Sequence, residues 1–214
     1  MGRGRVGIYP ETKHPSSFQS IGLPLEPRLV DVLHRSGYRS RSARVFIQSS
    51  EVANLKALDT MTDIPLVQLL DASGNPHDFV LSGDPRTYAD LATPEGLAEI
   101  ATYADGVGVN NNLVVPRDAD GFLQTPTSLV GDAHDAGLLV HAWTFRNENS
   151  FLPADLRLAS DPAAHGDAPA EYELFLSLGL DGVFSDHPDT AVAVRDARLG
   201  TPPWRPPLRA QPRP

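Results

Sequence analysis

The sequence contains no cysteine. That excludes a disulfide framework, a thiolate nucleophile and any cysteine-type zinc site, and it leaves the compartment open. Positive charge is scarce as well: 18 Lys and Arg stand against 27 Asp and Glu, a net charge of −9. A nucleic-acid partner is excluded on that ground, because phosphate backbones attract basic surfaces. The arginines that do occur gather in Arg35–Arg44 and in the tail Arg195–Arg213, and neither stretch interleaves aromatic residues at a spacing that would stack bases. No apolar run is long enough to cross a bilayer, and the N-terminus shows no signal-peptide pattern. Met1-Gly-Arg-Gly-Arg leads straight into a core-type segment.

What is there is enough chain, 214 residues, for one sizeable core. The organising stretch is Val6–His14, V-G-I-Y-P-E-T-K-H. Four mostly apolar residues predict a short buried strand, and Glu11 and Lys13 follow its end. Two residues apart in extended chain, their side chains leave on the same side of the backbone. A carboxylate beside an ammonium at a strand mouth suits a cation and an anionic ligand held together, such as a metal and a phosphate. A solvated Glu–Lys pair in a loop explains this stretch alone equally well.

Further strands are expected at Arg44–Gln48, Pro65–Leu70, Gly106–Val109, Leu138–Thr144 and Gly182–Ser185. Helical spacing at Leu25, Leu29, Val32 and Leu33, stopped by Gly37, gives one helix, and Val52, Leu55 and Leu58 give the next. Thr93-Pro94 and Thr125-Pro126 each read as an N-cap followed by the first helical residue, the second helix closing at Gly137. Helices over Ala170–Leu178 and Thr190–Ala197 complete the set, with loops expected after Leu70, over Asn110–Gln124 and from Thr144 to about Pro169.

Six strands, each followed by a helix and showing apolar runs rather than alternation, predict an α/β fold with a parallel sheet covered on both faces. An open doubly wound sheet should show a glycine-rich phosphate loop. Gly106-Val107-Gly108-Val109 runs into Asn-Asn-Asn instead. A (β/α)8 barrel places functional side chains at the C-terminal ends of several strands. Here those ends carry Glu11 with Lys13, Gln48, Asp71, Asn110, Trp143 with Arg146, and Asp186. The barrel is favoured, with six of its eight strands found.

In order along the chain stand Y-P-E-T-K (Tyr9–Lys13), V-F-I-Q-S (Val45–Ser49), P-L-V-Q-L-L (Pro65–Leu70) and Y-A-D-G-V-G (Tyr103–Gly108). V-H-A-W-T-F-R (Val140–Arg146) and D-G-V-F-S-D-H-P-D (Asp181–Asp189) follow. Together these resemble the glycerophosphodiester phosphodiesterase family, nearest its secreted or periplasmic branch, from about Val6 to about Val194. The resemblance implies a TIM barrel of the phosphatidylinositol-phospholipase type and hydrolysis of glycerophosphodiesters to an alcohol and sn-glycerol 3-phosphate. It implies a divalent cation, Ca²⁺ before Mg²⁺, and two histidines as general acid and base. Glu11 matches the metal-binding glutamate, and Lys13 the lysine that faces the phosphate. Trp143 matches an aromatic wall against the glycerol and Gln48 a polar pocket position, and Arg146 joins Lys13 and Trp143 as a substrate-binding candidate of the phosphate pocket. Asp186 is structural at the mouth as a cap on the last strand, and His187 beside it reads equally as a structural support or a functional residue. The implied partner is a small-molecule substrate; oligomeric state, head-group preference and localisation stay open, with full-length relatives periplasmic or secreted.

The family's His-Arg-Gly strand, its Glu-x-Asp strand and the hairpin bearing the second catalytic histidine are not in the sequence. The expectation is a domain over residues 1–198 lacking its first two strands, through truncation or a start codon assigned too late, with a disordered Pro- and Arg-rich tail over 199–214. Such a chain is expected to form an open barrel remnant with bare strand edges. One carboxylate cannot hold a Ca²⁺ that wants about six to eight oxygens, so the alternative is a degenerate, non-catalytic phosphate-binding remnant. Among the remaining candidates, His34-Arg35-Ser36-Gly37 is a decoy at a helix end and His14 a loop residue. His141 reads as a core or lining histidine, Asp118–Gly121 as a tight polar turn rather than a calcium loop, and Tyr103 and Phe175 as packing.

Overall fold

The structure, a computed structural model, describes residues 6–199. The expected tail from Gly200 lies outside them. They divide into two compact units, one of residues 6–108 and 132–139, the other of 109–131 and 140–199. The strands are β1 (Ile47–Ser49), β2 (Leu66–Leu70), β3 (Gly106–Asn110), β4 (Leu139–Phe145) and β5 (Gly182–Ser185), in the sheet order β1-β2-β3-β4-β5. β1 with β2 and β4 with β5 pair in parallel. This is the α/β arrangement of an incomplete TIM barrel.

In the first unit, α1 (Pro15–Ser20), α2 (Glu26–Arg35), α3 (Val52–Asp59), α4 (His77–Ser82), α5 (Tyr88–Leu91) and α6 (Pro94–Ile100) surround β1 and β2. All five residues of β2, four apolar and Gln68, are buried, as in a strand covered on both faces. Ile47, Leu55, Leu58, Leu66, Leu97 and Ile100 are fully enclosed, each contributing about 1.5–3 kcal/mol by burial. Asp105, 2% exposed, ties strand starts together: its carboxylate accepts from the Leu66 N–H at 3.0 Å and pairs with Arg41.

The first expected strand is not one. Val6–Tyr9 makes only the isolated parallel bridge Ile8↔Val45, followed by a second at Glu11↔Gln48, and Val6 and Ile8 are exposed rather than buried. The reason is Pro10. The Ile8 N–H donates to the Arg44 carbonyl, Phe46 N–H to Ile8, Gln48 N–H to Pro10 and Thr12 N–H to Gln48. That is a parallel ladder with one rung missing, the one a proline has no N–H to supply.

The second unit holds α7 (Asn111–Val114), α9 (Ala168–Ser177) and α10 (Pro188–Leu199) with the end of β3, most of β4, and β5. Phe145 stacks on Tyr172 at 4.7 Å and meets the edge of Phe175 at 5.1 Å, all three buried. Helix α8 (Leu129–Asp135) begins later than the Thr125-Pro126 pair suggests. Thr127 instead turns its hydroxyl to the carbonyls of Leu113 and Val114, which spends those residues on anchoring the preceding loop.

Candidate functional site

In the first unit, the bridge Glu11↔Gln48 puts these two side chains on one face, since directly paired residues of parallel strands share a side. Alternation places Lys13 and Ser50 on that face too, one step further out. Glu11 and Lys13 are exposed, and Gln48 is 9% exposed with its Oε1 accepting no hydrogen bond. A buried amide oxygen without a partner is costly unless something occupies it.

The opposite face fixes the strand end. The Thr12 hydroxyl donates to Asn54 Oδ1 at 2.6 Å, Asn54 Nδ2 donates to Glu26 Oε1 at 2.5 Å, and Gln19 Nε2 donates to the same oxygen at 2.6 Å. The Ser49 hydroxyl donates to the Thr12 carbonyl at 3.2 Å. Thr12, Asn54 and Glu26 are each at most 3% exposed. This buried network clamps the backbone between Glu11 and Lys13, which holds their exposed side chains by fixing the residue between them.

In the second unit the same alternation applies one step later. Phe145 pairs with Ser185, whose hydroxyl meets that of Tyr172 at 2.5 Å, so both point at α9. The next residues, Arg146 and Asp186, therefore leave on the other side. They form an ion pair there, Nε to Oδ2 at 2.5 Å, and the guanidinium also covers the Phe151 ring at 4.3 Å. Between the registers Ala142↔Val183 and Phe145↔Ser185, Trp143 and Thr144 oppose Phe184 alone. Such a bulge re-aims the strand at Trp143.

At His187, Nδ1 accepts from the Asn147 N–H at 3.3 Å, Nε2 lies 3.9 Å from Glu148, beyond hydrogen-bond reach, and the His165 ring packs edge-on at 5.2 Å. His141 is buried, and burial lowers its pKa to about 4, so it stays neutral. His34 sits at the end of α2, bonded to the Thr62 hydroxyl at 3.0 Å. Asp118 accepts from the N–H groups of Asp120 and Phe122 with Oδ1 and from Gln124 with Oδ2, a polar turn.

Thus Glu11, Lys13 and Gln48 share one face of the first unit, and Trp143, Arg146, Asp186 and His187 share the strand ends of the second. Sequence reasoning missed Tyr88, whose hydroxyl is hydrogen-bonded to the Ser50 side chain. It stands on α5, in a stretch expected to be loop. Thr87 and Asp90 form a reciprocal capping box there, and that T-x-x-D spacing was the available signal.

Three comparisons bear on this arrangement. A family model described as the glycerophosphoryl diester phosphodiesterase family matches residues 6–190. A glycerophosphodiester phosphodiesterase of Arabidopsis thaliana is 34% identical over 85% of this chain and 49% of its own length. One from Haemophilus influenzae is 28% identical over 88% of this chain and 52% of its own. The chain spans about half the length of these curated relatives. Among solved structures, a glycerophosphodiester phosphodiesterase from Parabacteroides distasonis superposes with a TM-score of 0.55 at 14% identity, covering 91% of this chain and 59% of that one, which speaks for the fold alone.

Proposed function

Since the chain belongs to the glycerophosphoryl diester phosphodiesterase family, we propose that its ligand is a glycerophosphodiester and its reaction the hydrolysis of that ester to an alcohol and sn-glycerol 3-phosphate. The observation that carries this is the shared face of Glu11, Lys13 and Gln48 at a strand end clamped from behind by Thr12. The Lys13 ammonium binds the phosphate and offsets the charge that builds on its oxygens as water attacks phosphorus. Gln48 Oε1, buried and unpartnered, accepts from a glycerol hydroxyl. In the second unit, Trp143 and Arg146 stand at the strand ends as candidate binding residues, the charge of Arg146 tempered by its pairing with Asp186.

The family is generally divalent-metal dependent, and a bound Ca²⁺ would supply Lewis-acid polarisation of the phosphoryl group. The donor set does not complete its shell. Among the described residues no group of three His, Asp or Glu could hold a metal, and Glu11 with Gln48 falls short of the about six to eight oxygens Ca²⁺ takes. That shortfall favours a second reading for this polypeptide, binding of the phosphodiester without turnover.

Calorimetric titration with sn-glycerol 3-phosphate, alongside an assay of its release from glycerophosphocholine with and without Ca²⁺, tests both readings. Saturable binding that weakens about tenfold in Lys13→Met is expected, the loss of one charge-assisted contact. Binding with no release selects the second reading, Ca²⁺-dependent release selects the first, and no binding removes both.

A further inference from the structure

The face that carries Lys13 continues beyond it within the first unit. Ser50 stands beside Lys13, in the same relation as Gln48 to Glu11. The register Gln48↔Val67 carries the face onto β2, and alternation through Leu69 brings it to Asp71, just past the end of that strand. The Tyr88 hydroxyl closes down on Ser50, and Asp71, Asp78 and Glu51 stand close enough for their charges to act on it. Unmet hydrogen-bonding capacity is concentrated here. Beyond Gln48, whose Oε1 takes the glycerol hydroxyl, the buried carboxylates of Glu51 and Asp78 each keep one oxygen without a partner. The other oxygen of each is spent locally, Glu51 on the Ser16 N–H at 3.1 Å and Asp78 on the Ala53 N–H at 2.7 Å.

Acceptors left over at a carboxylate-rich rim call for a ligand that brings N–H donors and positive charge. A phosphate on Lys13 would leave its second ester arm running along Ser50 towards Asp71 and Tyr88. We infer that the rim formed by Ser50, Asp71 and Tyr88 receives the alcohol half of the diester and selects an alcohol bearing a primary ammonium. This rests on the reading of Lys13 as the phosphate-binding group and adds the identity of what the phosphate is esterified to. Tyr88 and Asp71 are then specificity-determining residues supplied by the segment after β2.

The test is calorimetric and uses the whole chain with three probes. These are sn-glycerol 3-phosphate, glycerophosphoethanolamine and the neutral counterpart of the latter in which a hydroxyl replaces the ammonium. The ethanolamine ester is expected to bind about fivefold more tightly than its hydroxyl counterpart, the scale of one partly exposed ion pair. Asp71→Asn and Tyr88→Phe should each bring that ratio towards one and leave the affinity for glycerol 3-phosphate within about twofold of the parent. Asp71 is exposed, so its substitution does not put folding at risk. Equal affinity for the two diesters, or a ratio that both variants leave unchanged, overturns the inference while glycerol 3-phosphate binding keeps the underlying reading intact. If glycerol 3-phosphate itself does not bind, the reading of Lys13 fails and the inference falls with it.

Discussion

Glu171 on α9 is 2% exposed and faces Arg117, whose Nη2 lies 2.9 Å from Glu171 Oε1 while Nη1 donates to the Phe151 carbonyl at 2.7 Å. Burial raises the carboxyl from its ordinary 4.5 to about 7, and the guanidinium only partly offsets it. Between those two values the unfolded chain gives up a proton that the folded chain keeps. Stability therefore falls as pH rises through the window from about 4.5 to 7 and levels off above it. A displacement of that size is worth roughly 3 kcal/mol. Glu171→Gln keeps an acceptor for Arg117 and removes the titration. Urea denaturation of parent and variant at half-unit steps from pH 4.5 to 8 should show the parent losing up to about 3 kcal/mol relative to the variant across the range. Glu171→Leu strands the guanidinium, a change expected to cost about 3–5 kcal/mol. Parallel pH profiles for parent and Glu171→Gln would refute the reasoning, since they would mean the carboxyl is ionised in both states throughout.

Three further outcomes follow from single contacts. Gly182 lies under the His141 ring, and a Cβ there would sit 2.8 Å from Cδ2, so Gly182→Ala should cost about 1–3 kcal/mol by overpacking, read as a lowered thermal midpoint. Thr93 caps α6 by accepting from the Gly96 N–H at 3.1 Å, and Thr93→Ala should cost about 1 kcal/mol in urea. The His141 ring should show no NMR titration between pH 5 and 8, because burial holds it neutral with a pKa of about 4; a midpoint near 6.5 would contradict the packing.

The parallel α/β character was readable because β2 and β4 are mostly apolar without strict alternation, the signature of strands covered on both faces. Helices α3 and α6 followed from spacing and from a Thr-Pro start whose cap hydrogen bond is present. The edge segment was misread because its four apolar residues look like any buried strand, and the effect of Pro10 on the ladder appears only once the partner's donors are known. Short helices α1, α4 and α5 escaped for a different reason. At four to six residues they are too short for hydrophobic periodicity, and of the three only α5 carries a side-chain cap. The candidate site residues stood out by motif, but their orientation did not. That Arg146 and Asp186 pair, and that His187 Nδ1 accepts from the Asn147 N–H, depends on a bulge and on through-space partners that residue order does not encode.

The division of labour at the first strand mouth follows from a period of two. Glu11 and Lys13 stand exposed on either side of Thr12, which is turned towards the helices. Thr12 is therefore free to be buried, polar and fully bonded while its neighbours stay exposed. Were Thr12 apolar, Asn54 Oδ1 would lose its donor and Asn54 its place against Glu26, and the backbone between Glu11 and Lys13 would lose its anchor. Thr12→Val, nearly isosteric, separates these effects. It should cost about 1–3 kcal/mol by leaving Asn54 Oδ1 unpaired in the core, and it should weaken glycerol 3-phosphate binding although no ligand-facing atom has changed. A variant that loses stability and keeps full affinity would show that the strand end holds Lys13 without the network behind it.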